Sequence, residues 1–171
     1  MAAGRSSRFG PQCKLQTVYR GKPLVRHAAD AIIQTGLPSI AVIADPDVEG
    51  LLPEFRIVRC CGTQSQSLQA GLSQVRDNAA MIVLGDMPNI DADIIRKIAA
   101  APGPAALWDG TRICPPASIP RALFTRIFSL TGDVGARDLL RSLPDLNRVQ
   151  VPSHLLKDID HRRDLDEDLS S

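Results

Sequence analysis

The sequence predicts a single α/β domain with a mostly parallel sheet that helices cover on both faces. A length of 171 residues suits one domain. Short runs rich in apolar and β-branched residues alternate along the chain with helical patterns of about ten to fifteen residues. Parallel strands need such crossover helices, whereas antiparallel strands need only short turns. We therefore expect residues 1–171 to form one domain with three α/β/α layers.

The first half of the chain alternates helix and strand patterns. The segment KPLVRHAADAIIQTG has the apolar spacing of a helix, and Gly36 is suited to end it. SIAVIAD and FRIVRC are typical of short buried strands. SQSLQAGLSQVRD predicts a second helix because its apolar residues share one side.

The second half continues this alternation. AAMIVLGD is the strongest strand pattern, because its apolar run is unbroken up to Gly85, and AALW and NRVQVP predict two more strands. DADIIRKIAAA predicts a helix that Asp91 caps. IPRALFTRIFSL and GARDLLRSL predict two further helices, with Pro120 in the first turn of the former. From Asp164 onward we expect a short terminal helix.

Net charge and apolar runs exclude several classes of partner. The formal net charge is +1, which argues against general electrostatic binding of nucleic acid or of an anionic membrane. No apolar run approaches the roughly 18 residues that span a bilayer, and no stretch resembles a signal peptide. We therefore expect a cytoplasmic protein whose anion sites are local.

The opening stretch MAAGRSSRFGPQCK combines glycines with basic side chains. Gly4 and Gly10 permit close backbone approach, and Arg5, Arg8 and Lys14 supply positive charge. This combination suits a triphosphate, although the spacing is that of neither a Rossmann fingerprint nor a Walker loop. A solvated basic terminus is the alternative that the stretch alone leaves open.

The segment VLGDMPNID places Asp86 just beyond a predicted buried strand. In parallel sheets ligands bind at the carboxyl ends of the strands. Mg²⁺ prefers one or two carboxylates together with water and substrate phosphates. Asp86 is therefore a candidate Mg²⁺ ligand, and the alternative is that it only caps the turn.

Four segments in this order resemble the MobA-like nucleotidyltransferases. MAAGRSSRFGPQCKL is similar to the signature [LM]-A-[AG]-G-x-S-x-R-[FM]-G-x-x-x-K-L, GDMP to the metal loop, and LTGDVGARDLL and DIDHRRDL to two late motifs. The double alanine, GAR and DID point to the branch of molybdenum cofactor cytidylyltransferases. The resemblance implies a Rossmann-like three-layer fold and Mg²⁺-dependent transfer of CMP from CTP, which it favours over GTP. The implied acceptor is a phosphorylated pterin of the molybdopterin type, pyrophosphate is released, and a molybdoenzyme is a candidate partner.

The resemblance also implies roles for individual residues. Those implied to contact the nucleotide are Ala2, Ala3, Gly4, Arg5, Ser67 and Gly85. Arg8 and Lys14 would hold the phosphates, and Asp86 would hold Mg²⁺. Asp158 or Asp160 would be a second metal contact or would position the acceptor. Those implied to lie beside the acceptor are Cys114, Pro115, Asp133 and Arg137. A buried ion pair between Asp133 and Arg137 is the alternative for the last two.

The sequence departs from the family at its first strand. The family carries an apolar strand of the type VVLLAAG ahead of its first motif, and this sequence begins within that position, at Met1. We therefore expect a truncated first strand in the centre of the sheet. Losing about five buried residues at about 1.5–3 kcal/mol each is comparable with the stability of a whole domain. A start upstream of Met1 would explain this departure, and so would an inactive protein.

Two further departures concern the acceptor. Ile113 and Cys114 stand where the family often has Gly-His, so close backbone approach and an imidazole are both lost. His161, Arg162 and Arg163 replace the usual Thr-Pro-Glu, and a solvated basic turn is favoured there over an anion contact. Two alternative functions follow: a non-catalytic nucleotide-binding relative, and a transferase that acts on another small phosphate.

Overall fold

A computed structural model describes residues 13–165 of the chain. A short 3₁₀ turn, Lys14–Gln16, precedes the regular elements. In chain order these are β1 (Val18–Tyr19), β2 (Lys22–Pro23), α1 (Leu24–Ile33), β3 (Ile40–Ile43), β4 (Arg56–Arg59), α2 (Gln64–Leu72), β5 (Ala79–Ile82), α3 (Ala92–Ala100), β6 (Ala105–Trp108), β7 (Ile113–Pro120), α4 (Phe124–Phe128), α5 (Ala136–Arg141) and β8 (Asn147–Gln150). No helix among these is long and apolar enough to cross a membrane.

Local sequence signals explain where two of the helices begin. The Asp91 carboxylate accepts a hydrogen bond from the Ile94 amide at 2.8 Å, so the predicted cap of α3 is confirmed. Thr63 begins α2 with a capping box, in which its hydroxyl accepts from the Gln66 amide and the Gln66 side chain accepts from the Thr63 amide.

The strands run mostly in one direction, as predicted. β3 and β4 pair in parallel, and a second sheet has the strand order β5-β7-β6-β8. In that sheet β6 and β8 are parallel, while β7 is antiparallel to both β5 and β6. Helices α1 and α3 pack on one face, and α2, α4 and α5 pack on the other. This arrangement confirms the three-layer α/β architecture.

The eight residues of β7 were not predicted as a strand, and the predicted helix at 119–130 begins too early. Ile119 and Pro120 end β7, and α4 begins only at Phe124. Pro115 and Pro116 lie in the bulge between the pairs Ala106–Ala117 and Leu107–Cys114. A bulge tolerates prolines because it needs fewer ladder hydrogen bonds. Because of the two prolines, the sequence pattern of this segment does not indicate a strand, although the segment forms one in the structure.

A cavity of about 640 Å³ lies between β3 and β5. Its lining includes Ile40 and Val42 of β3, Ala80 and Ile82 of β5, and side chains of α1, α2 and α3. Within the described part of the chain, β3 pairs with β4 and β5 pairs with β7, so these two strands belong to different sheets. Among the described residues, no strand therefore joins β3 to β5 across this cavity.

Candidate functional site

Three segments meet at the edge of the sheet where β5, β6 and β8 have their carboxyl ends. Asp86 follows the end of β5 by four residues, and residues 157–160 follow β8 after a 3₁₀ turn. The third segment is the 3₁₀ turn that contains Lys14. Because parallel strands place their carboxyl ends together, three segments distant in sequence become neighbours.

The side chains of Lys14, Asp86 and Asp160 form one cluster, which we call the Lys14 cluster. The Lys14 Nζ donates to Asp86 Oδ2 at 2.7 Å and to Asp160 Oδ1 at 2.9 Å. It also donates to the Ile159 carbonyl oxygen at 3.1 Å. The side chains of Lys14 and Asp86 are 13% and 22% exposed, and that of Asp160 is 46% exposed. One ammonium group therefore links two carboxylates in a half-buried position that solvent can reach.

The backbone holds the two acidic loops against each other. The Ile159 amide donates to the Asp86 carbonyl oxygen at 3.0 Å, and the Ile159 side chain is fully buried with Tyr19 and Leu24. Asp164 Oδ2 accepts from the amides of Asp160 and His161, at 2.9 and 2.7 Å. The backbone around Asp160 is therefore held on one side by the contact of Ile159 with Asp86 and on the other side by the contacts with Asp164.

The protonation state of Lys14 follows from its neighbours. Burial by itself would lower the pKa of the Lys14 ammonium. The charge of Asp86 and the hydrogen bonds to Asp86 and Asp160 outweigh burial, and the pKa lies above its ordinary value. Lys14 is therefore a fixed positive charge at neutral pH.

The oxygen atoms of the Lys14 cluster suit a divalent metal ion. Two carboxylate oxygens and one carbonyl oxygen converge on a single point, which is now the position of Nζ. Residues 13–165 contain no group of three or more His, Cys, Asp or Glu side chains that could hold a metal by themselves. Mg²⁺ needs no such group, because it is bound through one or two carboxylates and substrate phosphates. The residues present therefore fit Mg²⁺, and Asp86 with Asp160 would hold it.

Asp158 lies apart from the Lys14 cluster. Its Oδ2 is 3.9 Å from a guanidinium nitrogen of Arg137. Asp133 is exposed, so the alternative of a buried Asp133–Arg137 pair is wrong. Of the two carboxylates predicted as second metal contacts, the structure thus brings Asp160 to Asp86 and leaves Asp158 facing Arg137.

The side chains of Cys114 and Pro115 are buried in β7. Cys114 belongs to the apolar core beside Leu107, and burial raises the pKa of its thiol to about 11. Both side chains are thus shielded from solvent, and their contact with an acceptor stays a prediction.

The predicted nucleotide residues differ in placement. Gly85 is buried directly before Asp86. Ser67 is 2% exposed on α2, and its hydroxyl donates to Cys60 Sγ at 3.7 Å, so it lies outside the Lys14 cluster. Ala2, Ala3, Gly4, Arg5 and Arg8 lie outside the described residues, and their roles stay predictions.

The structure adds two contacts that sequence reasoning missed. Arg112 donates to the Leu156 carbonyl oxygen at 2.8 Å and thus braces the segment before Asp158. Ser65 Oγ donates to the Gly132 carbonyl oxygen at 2.8 Å, which joins the start of α2 to the loop before α5. Arg112 belongs to no segment quoted above, whereas Ser65 begins the quoted segment SQSLQAGLSQVRD, two positions before the predicted Ser67.

The fold is that of an α/β domain with one lysine and two carboxylates clustered at the carboxyl edge of its sheet, and comparison with known proteins narrows this class. The profile described as the MobA-like NTP transferase domain matches residues 1–149, and the chain belongs to this family. The bifunctional enzyme IspD/IspF of Caulobacter vibrioides is 29% identical over 113 residues. That match covers 59% of this chain and 30% of the enzyme, so the chain spans under a third of this curated relative.

Solved structures support the same fold. The Rv0371c protein of Mycobacterium tuberculosis has a TM-score of 0.80 at 23% identity, covering 99% of this chain and 95% of that chain. Its manganese complex has a TM-score of 0.76 at 22% identity, covering 96% and 95%. CMP:2-keto-3-deoxy-manno-octonic acid synthetase, complexed with CTP, has a TM-score of 0.69 at 13% identity, covering 93% and 91%. At these identities the likeness concerns the fold.

Proposed function

We propose that this chain is a nucleotidyltransferase that transfers CMP from CTP to a phosphorylated acceptor and releases pyrophosphate. The observation that carries the proposal is the meeting of Lys14, Asp86 and Asp160 at one point. In a member of the MobA-like NTP transferase family, these groups suit the triphosphate and its metal ion. A structural neighbour in complex with CTP supports CTP, and GTP is the alternative nucleotide. The cytoplasm remains the predicted location.

The proposed reaction needs positioning more than covalent chemistry. An oxygen of the acceptor phosphate attacks the α-phosphorus of the nucleotide, and the bond from the α-phosphorus to the oxygen bridging to the β-phosphate breaks. Pyrophosphate leaves with that oxygen. Lys14 would neutralise phosphate charge as a point charge, and Asp86 and Asp160 would orient the triphosphate through the ion they hold. When bound, Mg²⁺ supplies charge neutralisation on the phosphate oxygens.

We propose a phosphorylated pterin of the molybdopterin type as the acceptor, with a molybdoenzyme as a candidate partner. The late GAR and DID motifs support this choice. Arg137 of GAR and Asp158 of DID lie 3.9 Å apart with side chains 40% and 31% exposed, so Arg137 can turn toward an anion. Asp133, at the exposed start of the same loop, stays a predicted acceptor contact.

Replacement of Arg137 by alanine tests this acceptor role. We expect Arg137→Ala to raise the KM for the acceptor at least about tenfold, because a hydrogen bond between charged groups contributes about 1.5–3 kcal/mol. The KM for CTP should stay within about twofold of wild type, because Arg137 pairs with Asp158 and lies apart from the Lys14 cluster. The measurement is steady-state pyrophosphate release with each substrate varied in turn.

Arg141→Ala is the matched control, because Arg141 lies on the same helix and pairs with Asp138 at its exposed surface. Unchanged acceptor KM in Arg137→Ala, or an equal rise in Arg141→Ala, would remove Arg137 from the acceptor site.

The interruption between β3 and β5 favours one second candidate, a relative that binds a nucleotide without turnover. An unsupported centre of the sheet would loosen the loops at its carboxyl edge, and catalysis is sensitive to displacements of about 1 Å. Such a protein would bind CTP in a Mg²⁺-dependent manner and release no pyrophosphate with any phosphorylated acceptor. Pyrophosphate release above the rate without acceptor would eliminate this candidate.

A further inference from the structure

The Lys14 ammonium lies where the two carboxylates would hold a metal ion. Its Nζ donates to oxygen atoms of Asp86, Ile159 and Asp160, at 2.7, 3.1 and 2.9 Å. Two negatively charged carboxylates that face each other without a cation would repel each other. Lys14 therefore supplies, within the chain, the positive charge that this pair of carboxylates requires.

A metal ion and the ammonium cannot bind the same oxygen atoms at once. A Mg²⁺ ion lies about 2.0–2.1 Å from its oxygen ligands, and an ammonium nitrogen at 2.7–2.9 Å occupies the same space between them. The two cations would also repel each other at such short range. Entry of the metal between Asp86 and Asp160 therefore requires Lys14 to leave.

A departing Lys14 needs a new partner. Its side chain is only 13% exposed, so moving the charge without another anion would give up three hydrogen bonds in a poorly solvated position. A triphosphate offers such an anion beside the same edge of the sheet. The flexible four-carbon stem of lysine allows this exchange of partners without movement of the backbone.

We infer that Lys14 prevents a divalent metal ion from binding between Asp86 and Asp160. When a polyphosphate binds, its oxygen atoms become the new partners of the Lys14 ammonium, and the metal ion can then bind to the two carboxylates. Metal and polyphosphate then bind cooperatively, and each raises the affinity for the other by the same factor. The cooperativity with nucleotide rests on the proposed function, whereas the competition between Lys14 and metal is a property of the protein without nucleotide.

Binding of Mn²⁺ to the whole chain without nucleotide tests the competition. Electron paramagnetic resonance of the free ion gives the dissociation constant. We expect Lys14→Met to bind Mn²⁺ at least about tenfold more tightly than wild type, because the competing cation is gone. Lys22→Met is the matched control, since Lys22 pairs with Asp30 outside the site, and it should bind Mn²⁺ as wild type does. Lys14→Arg retains the positive charge, so we expect this variant to bind Mn²⁺ as weakly as wild type does.

Inorganic tripolyphosphate serves as the probe for cooperativity. It should raise the Mn²⁺ affinity of wild type severalfold more than that of Lys14→Met. Equal or weaker Mn²⁺ binding by a folded Lys14→Met without polyphosphate would overturn the inference. A second readout on wild type needs no variant to fold: the Lys14 side-chain NMR signal should shift with Mg²⁺ plus tripolyphosphate and remain in place with Mg²⁺ alone. A shift of equal size with Mg²⁺ alone would also overturn it.

These binding measurements do not depend on turnover. If Lys14→Met gains Mn²⁺ affinity and wild type releases no pyrophosphate, the competition stands and the proposed transferase activity fails. If pyrophosphate is released and Mn²⁺ affinity is unchanged in Lys14→Met, the activity stands and the competition fails.

Discussion

Asp86→Asn is expected to lower kcat for CMP transfer about a thousandfold, the upper range for losing one preorganised electrostatic contact to a transition state. The substitution keeps the shape of the side chain and removes its charge. In the structure Asp86 Oδ2 accepts a hydrogen bond from Lys14 Nζ at 2.7 Å, and the Asp86 carbonyl oxygen accepts one from the Ile159 amide. The side-chain change therefore removes the candidate metal ligand and leaves the backbone contact between the loops intact.

Calorimetric titration with CTP in the presence and absence of Mg²⁺ complements the rate measurement. Wild type should bind CTP more tightly with Mg²⁺, and Asp86→Asn should lose most of this difference. Asp93→Asn is a suitable control, because Asp93 is an exposed residue of α3 that pairs with Arg96. Tight CTP binding by Asp86→Asn that still depends on Mg²⁺ would contradict the assignment of Asp86 as metal ligand.

The largest stability effect is expected from filling the cavity between β3 and β5. We expect an apolar segment of about five residues, joined ahead of Met1, to pair with both strands and raise Tm by about 6–12 °C. Buried apolar side chains contribute about 1.5–3 kcal/mol each, and ordering each residue costs about 1–2 kcal/mol. At matching ends of these two ranges the difference is about 0.5–1 kcal/mol per residue, so five residues give a net stabilisation of about 3 kcal/mol.

A Gly-Ser segment of the same length is the control for this prediction, since it adds chain without apolar side chains. Hydrogen exchange should report new protection in β3 and β5 only for the apolar segment. Equal Tm values for the two extended variants would show that the cavity does not accept a strand.

Much of the fold could be predicted from periodicity alone. Strands β3, β4, β5, β6 and β8 and helices α1 and α3 lie within predicted segments, and α2 begins one residue before its predicted segment. Their apolar spacing is visible in the sequence. The predicted cap at Asp91 is observed because capping is a local interaction. β7 was missed because two prolines at a bulge break the local pattern, and only its pairing with β5 and β6 makes that segment a strand.

The sequence was sufficient to predict which residues belong to the candidate site, but not which of them contact one another. Lys14, Asp86 and Asp160 follow from a charged opening stretch, a strand end and a late acidic motif. The salt bridges among them depend on how three distant segments meet, which no local pattern contains. The burial of Cys114 beside Leu107 could not be predicted from a local pattern either, because it depends on strand pairing.

The most direct test of the proposed CMP transfer is to observe the phosphorus atoms of the substrates and products. Phosphorus NMR of the chain with CTP, Mg²⁺ and a phosphorylated pterin should show pyrophosphate appearing in equal amount with a new CMP–acceptor linkage. No such signals should appear when Mg²⁺ or the acceptor is omitted. Persistent CTP and acceptor signals under saturating conditions, with Mg²⁺-dependent CTP binding intact, would contradict the proposed transfer and leave a nucleotide-binding protein without this activity.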